Sequence, residues 1–183
     1  SQQIRIVCIG NLTQPYKGCD FMLQALVQLK QRQIDCHVTW VGGGYLLADM
    51  QQLATKLGVD ADIDFVGNLS SRQLIREPLD QADMFVLTSR QEGLPRVLIE
   101  SMARSLVCIA TNVGGVKELI SEDLIIERDN KDQLVGAIER VNQLSEQQLL
   151  DIATVNYNKA LEYKEASLSK RRQAMYQHLK GAL

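Results

Sequence analysis

No apolar run in the sequence approaches the ~20 residues that a helix needs to span a bilayer. The amino end, Ser1-Gln2-Gln3 ahead of a short strand-like run, lacks the basic and apolar regions of a secretory leader, so none is expected. Positive charge is not in excess: 20 Lys and Arg against 22 Asp and Glu leave a net charge of −2. No field therefore draws the chain to nucleic acid, and nucleic acid is not an expected partner. The four cysteines (Cys8, Cys19, Cys36, Cys108) form no C-x-x-C pair, and the two histidines, His37 and His178, stand far apart. That spacing argues against a zinc site and a disulfide framework, and it predicts buried, reduced thiols in a reducing, cytoplasmic setting. Low-complexity stretches, internal repeats and Gly/Ser-rich linkers are absent too.

What is present is an ordinary globular balance, with 45% hydrophobic and 23% charged residues in 183, enough chain for one domain with its own core. Short β-branched runs alternate with amphipathic helical patterns. Strands are predicted over Ile4–Ile9, His37–Val41, Ile63–Val66, Met84–Leu87, Leu106–Ala110 and Leu124–Ile126. Helices are predicted over Asp20–Arg32, Tyr45–Leu57, Ser70–Gln81 (broken near Pro78), Leu94–Arg104 (with Pro95 in its first turn), Val116–Ile120 and Lys131–Leu144. Ser145 with Gln148 reads as a capping box opening a further helix. Strand–helix alternation with nearly all-apolar strands predicts an α/β fold: a Rossmann-like, doubly wound parallel sheet of about six strands with helices on both faces.

In such sheets ligands bind at the carboxyl ends of the strands. That is where the glycines collect: Gly10 and Gly18, Gly42-Gly43-Gly44, Gly67, Gly93, and Gly114-Gly115. A tight turn is the simpler reading of any one of them; five such turns on one sheet edge favour a ligand cleft. A dinucleotide fingerprint fits poorly, because Leu47 stands where the third small residue belongs, so a nicotinamide cofactor is not expected. Glu92 precedes a helix and Glu100 follows eight residues later on a definable helix face. A carboxylate there can accept both hydroxyls of a ribose or sugar diol. The D-x-D spacing in Asp60-Ala61-Asp62-Ile63-Asp64 precedes a strand, away from the ligand edge, and reads as a polar turn.

The segment Glu92-Gly93-Leu94-Pro95-Arg96-Val97-Leu98-Ile99-Glu100 resembles the E-x7-E signature of group 1 (family 4) retaining glycosyltransferases. Four further segments are similar to that family in order and spacing: Asn11 to Asp20 with Lys17-Gly18, Val41 to Gly44, Phe65-Val66-Gly67 with Ala82 to Leu87, and Val113 to Glu118. The resemblance covers about residues 4–145 and implies one half of a GT-B fold, the C-terminal domain that binds a nucleoside diphosphate sugar. It implies a division into residues 1–145, the donor-binding domain, and 146–183, a helical tail packing on it or back toward an N-terminal acceptor domain.

The implied activity is transfer of a hexose to an acceptor hydroxyl with retention, in polysaccharide, lipopolysaccharide or glycoconjugate synthesis. The implied catalytic residues are Lys17, neutralising the diphosphate, and Glu92, facing the sugar. Glu100 would hold the ribose, and Gly10, Asn11, Gly18, Gly43, Gly67, Gly93 and Leu94 would line the donor. The N–H groups of Gly93 and Leu94 are expected to open a helix N-terminus. Neither cofactor nor metal is expected, since cations and oriented N–H groups can stabilise the leaving diphosphate.

Contact with the inner face of a membrane is expected only through a longer protein, and an isolated donor half is expected to be inactive. Asn11 departs from the family, which carries Arg there. Loss of that cation predicts donor binding weaker by about 1.5–3 kcal/mol, unless Arg90 or Arg96 replaces it. Two alternatives remain: a non-catalytic nucleotide-binding or interaction module, and another GT-B enzyme such as a nucleotide-sugar epimerase. In the tail, Tyr157, Leu161, Leu168, Met175, Tyr176 and Leu179 are expected to form one stripe, and Lys170-Arg171-Arg172 a solvated face.

Overall fold

A computed structural model of the chain describes residues 3–69 and 72–164. Six parallel strands form one sheet: β1 (Ile4–Ile9), β2 (Cys36–Val41), β3 (Ile63–Gly67), β4 (Met84–Leu87), β5 (Val107–Thr111) and β6 (Ile125–Ile126). Their spatial order is β3-β2-β1-β4-β5-β6. The strand order reverses between β1 and β4, so the loops leaving these two strands diverge around a crevice at the carboxyl edge.

The helices are α1 (Cys19–Gln31), α2 (Leu47–Leu57), α3 (Arg72–Gln81), α4 (Arg96–Met102), α5 (Lys131–Asn142) and α6 (Glu146–Leu161). Right-handed crossovers distribute them over the two faces: α1 packs with α2 and α5 on one side, α4 with α6 on the other. Both faces being covered explains why β4 and β5 are buried along their whole length. The core is one contiguous cluster in which Val7, Leu23, Leu29, Phe85, Ile109 and Ile138 have no solvent exposure. Trp40 fills the centre, and its indole N–H donates to Gly10 O at 3.0 Å, fixing the end of β1. At the opposite end of the same strand, Arg5 Nη2 donates to Asp83 Oδ1 at 2.6 Å and ties β1 to the entry of β4.

Several element bounds differ from expectation. The α4 helix begins at Arg96, so Pro95 is its extended N-cap rather than a first-turn residue, and Gly93 and Leu94 lie in the loop ahead of it. The expected helix N-terminus at Gly93 and Leu94 is therefore not formed there. Pro78 does not break α3, which runs through it to Gln81; burial of Leu79 against the sheet outweighs the missing backbone donor. The helix expected over Val116–Ile120 is a 3-10 segment at Gly114–Glu118.

Ser145 caps α6 as the sequence predicts: its Oγ accepts from Gln148 N–H and the Gln148 side chain accepts from Ser145 N–H. The α6 helix lies against α4 and β5, and its buried Asn156 donates from Nδ2 to Leu106 O at 2.8 Å. In the expected tail stripe Tyr157 is exposed and Leu161 half-buried. Leu168, Met175, Tyr176, Leu179 and Lys170-Arg171-Arg172 lie outside the described residues, as does Ser70. No helix among the described residues is long and apolar enough to cross a membrane.

Candidate functional site

The β1–α1 loop reaches the switch point through a 3-10 turn, Pro15–Lys17, closed by Gly18 in the left-handed region (φ 74°). Gly18 is required twice over. Its φ disfavours any side chain, and a Cβ there would strike the carbonyl oxygen of Thr88 at the end of β4. The two loops are then fastened together. Thr88 Oγ1 donates to Lys17 O at 3.1 Å, and Arg90 N–H donates to Tyr16 O at 2.7 Å.

This brings two of the expected residues into contact. Lys17 Nζ lies 2.7 Å from Glu92 Oε1, with the side chains only 18% and 14% exposed. The Lys17 ammonium also lies 5.2 Å from the centre of the Tyr16 ring. Gly10 backs the pair: a Cβ there would press on the Lys17 stem at 3.3 Å. Gly93 is held on its far side by the β5–β6 loop, where Gly115 N–H donates to Gly93 O at 2.8 Å. Gly114 (φ 48°) packs so closely on that same carbonyl that no side chain fits. The Gly-Gly pair after β5 thus supports the Glu92–Gly93 loop from behind.

The other expected residues take separate places. Asn11 is exposed, and its Oδ1 accepts from Thr13 Oγ1 at 3.0 Å. Gly43 N–H donates to Asn68 Oδ1 at 2.7 Å, and Gly67 O accepts from Gly42 N–H at 2.8 Å, so these glycines join the β2 and β3 loops to each other. Leu94 is 44% exposed at the rim. Glu100, about one turn into α4, lines a cleft of about 260 Å³ with Ile75, Arg76 and Leu79 of α3, and Ala103 and Arg104. Its carboxylate has no hydrogen-bond partner among the described residues. The structure therefore brings together Gly10, Lys17, Gly18, Glu92 and Gly93, and sets Glu100 apart along the helix.

Arg90 is not a spare cation for a phosphate. Its guanidinium meets Asp20 with both terminal nitrogens, at 2.9 and 2.8 Å, and Asp129 from Nε at 2.8 Å and Nη2 at 2.7 Å. Hydrogen bonding to Asp20, then to Asp129, raises its already high pKa. Arg96, by contrast, is exposed and has no carboxylate partner among the described residues. Thr88 and Asp129 were not singled out by sequence; each is a common polar residue whose partner is distant in the chain. The Asp60–Asp62 turn stands at the amino side of β3, where Asp62 takes Lys30 Nζ at 2.8 Å. Among the described residues no group of three or more His, Cys, Asp or Glu is placed to hold a metal ion.

A family model described as glycosyl transferases, group 1, matches residues 3–143. The chain belongs to this family. A glycosyltransferase of Haemophilus influenzae, uncharacterised in function, is 28% identical over 138 residues, covering 73% of this chain and 38% of that protein. The GDP-mannose-dependent α-(1-6)-phosphatidylinositol monomannoside mannosyltransferase of Mycolicibacterium smegmatis is 31% identical over 122 residues, covering 63% of this chain and 31% of that enzyme. The chain therefore spans roughly a third of the length of these relatives.

Among solved structures, a glycosyltransferase of Rickettsia africae superposes with a TM-score of 0.85 at 21% identity, over 97% of this chain and 48% of that one. Anabaena HepE, solved with UDP and glucose, superposes with a TM-score of 0.82 at 19% identity, over 96% and 48%. The sheet order and layering are those of one GT-B half. This group 1 member thus carries its Lys17–Glu92 pair at the crevice of a doubly wound sheet.

Proposed function

We propose that this chain is the donor-binding half of a retaining glycosyltransferase, and that its donor is a nucleoside diphosphate sugar. The observation that carries the reading is the shielded Lys17–Glu92 pair at the switch point, beside Gly93, where a Cβ would meet nothing within 4 Å. A lysine held there has a ready anionic partner to exchange: the donor diphosphate takes the ammonium, and Glu92 turns to the hydroxyls of the sugar. In the reaction the bond from the anomeric carbon to the diphosphate breaks, a bond to the acceptor oxygen forms on the same face, and the acceptor hydroxyl's proton passes to the departing diphosphate. Negative charge grows on the departing diphosphate, and Lys17 with the Gly93 and Leu94 N–H groups stabilises it. Glu100, about one turn into α4 and without a hydrogen-bond partner among the described residues, accepts the ribose hydroxyls. The acceptor, and the wall that excludes water from the sugar, belong to a second domain.

The setting is glycolipid, lipopolysaccharide or other glycoconjugate synthesis, supported by the mannosyltransferase relative. Titration calorimetry of the full-length protein with UDP, GDP and ADP tests the reading. One of the three is expected to bind, and Lys17→Ala and Glu100→Ala are each expected to lose at least about tenfold in affinity, equivalent to ~1.4 kcal/mol. Failure of all three to bind would leave a non-catalytic module of the same fold.

A further inference from the structure

Arg90 commits four of its guanidinium donors to hydrogen bonds within the chain. A guanidinium offers five N–H groups. Nε donates to Asp129, Nη1 to Asp20 and to Pro15 O (3.0 Å), and Nη2 to Asp20, with Asp129 Oδ1 also 2.7 Å from Nη2 as an ion pair. Its own backbone N–H holds Tyr16 O, and its carbonyl accepts from Arg128 Nη1 at 3.4 Å. These partners come from three places in the chain: the Pro15–Lys17 turn, the first turn of α1, and the loop between β6 and α5. Two carboxylates already meet this one guanidinium, so its charge is not free for a diphosphate. What the arrangement does fix is the path of the turn that ends in Lys17.

We propose that Arg90 is the positioning residue of the donor site: its forked contacts to Pro15, Asp20 and Asp129 hold the β1–α1 turn so that Lys17 stands beside Glu92. This rests on the donor-site reading for its consequence in binding, but the positioning itself is a property of the chain. Lysine cannot replace Arg90, because a single ammonium cannot span two carboxylates and a carbonyl in a plane.

The alternative role, a direct diphosphate cation replacing the family's Arg at position 11, predicts the opposite response to one substitution. Removing the charge of Asp129 would free Arg90 for the phosphate and tighten binding; loosening a clamp weakens it. Asp129 is half-exposed and sits in the left-handed region (φ 58°), which Asn tolerates as well as Asp, so Asp129→Asn preserves the loop.

The experiment uses the full-length protein and two readouts. Competitive acetylation with mass-spectrometric detection reports how well Lys17 is shielded. Calorimetry with whichever of UDP, GDP and ADP binds reports the donor site. Arg90→Lys is expected to raise the Lys17 labelling rate at least about threefold, toward that of Glu92→Gln, and to weaken nucleotide binding at least about fivefold. Asp129→Asn is expected to move both in the same directions by about twofold, and it serves as the variant of record should Arg90→Lys fail to fold. Unchanged Lys17 labelling in a folded variant, or tighter nucleotide binding in Asp129→Asn, overturns the proposal. If the unaltered protein binds no nucleotide while Lys17 labelling still answers to Asp129→Asn, the donor reading fails and the clamp stands.

Discussion

Single residues at the crevice carry constraints of two kinds, chemical and steric, and they respond differently to change. Lys17 and Glu92 are chemical: either can be altered without disturbing the fold's core, since neither is in it. Gly18 is steric. Placing a methyl group there combines a left-handed backbone with a collision against the Thr88 carbonyl. Gly18→Ala is expected to cost at least ~2 kcal/mol in a urea unfolding curve, because the clash is with backbone, which relaxes poorly. It is also expected to displace Lys17 and so to lose nucleotide binding. The Gly18 position could be read from sequence as a turn glycine. That it opposes Thr88 could not, because the two are 70 residues apart and meet only once β4 pairs with β1.

At the scale of the element, local chemistry determined most helix starts and strand centres. The α6 cap shows this best. Ser145 and Gln148 at i and i+3 satisfy each other's backbone N–H groups with no help from elsewhere, so the pattern suffices. Ser145→Ala is expected to destabilise the protein by about 1 kcal/mol, measured by chemical denaturation, with the nucleotide site unaffected. Where local chemistry misled, packing was the competitor. Pro78 lies inside α3 because Leu79 and Ile75 face the sheet. Pro95 caps α4 from outside because Glu92–Leu94 is drawn across to the Gly114-Gly115 turn. The latter shift moves the Gly93 and Leu94 N–H groups from a helix turn into a loop held at the crevice.

The whole molecule is a sheet with two covered faces and one functional edge. Its burial extends to all four cysteines, with Cys36 pushed up to about 12 by burial, ahead of the nearby Asp62 and Asp35, and the other three raised by burial as well. These thiols are expected to resist a disulfide reagent at about pH 8 in the native state and all to react on unfolding. Because a folded thiol titrates higher than an unfolded one at about 8.5, its contribution to stability is complete below that pH. It is lost as pH rises from there toward 12, so alkaline unfolding is the expected direction.

The sequence by itself determined the alternation of strands and helices, the glycine turns at strand ends and the residue types of the site, because these depend on local periodicity and turn geometry. Only the tertiary structure decided that the turns after β1 and β4 face each other and that Lys17 is already paired with Glu92. It alone also decided that Arg90 is consumed by Asp20 and Asp129 rather than left for a ligand. Such pairings are set by strand order, and strand order follows from how a twisted parallel sheet buries both of its faces, not from any local run of residues.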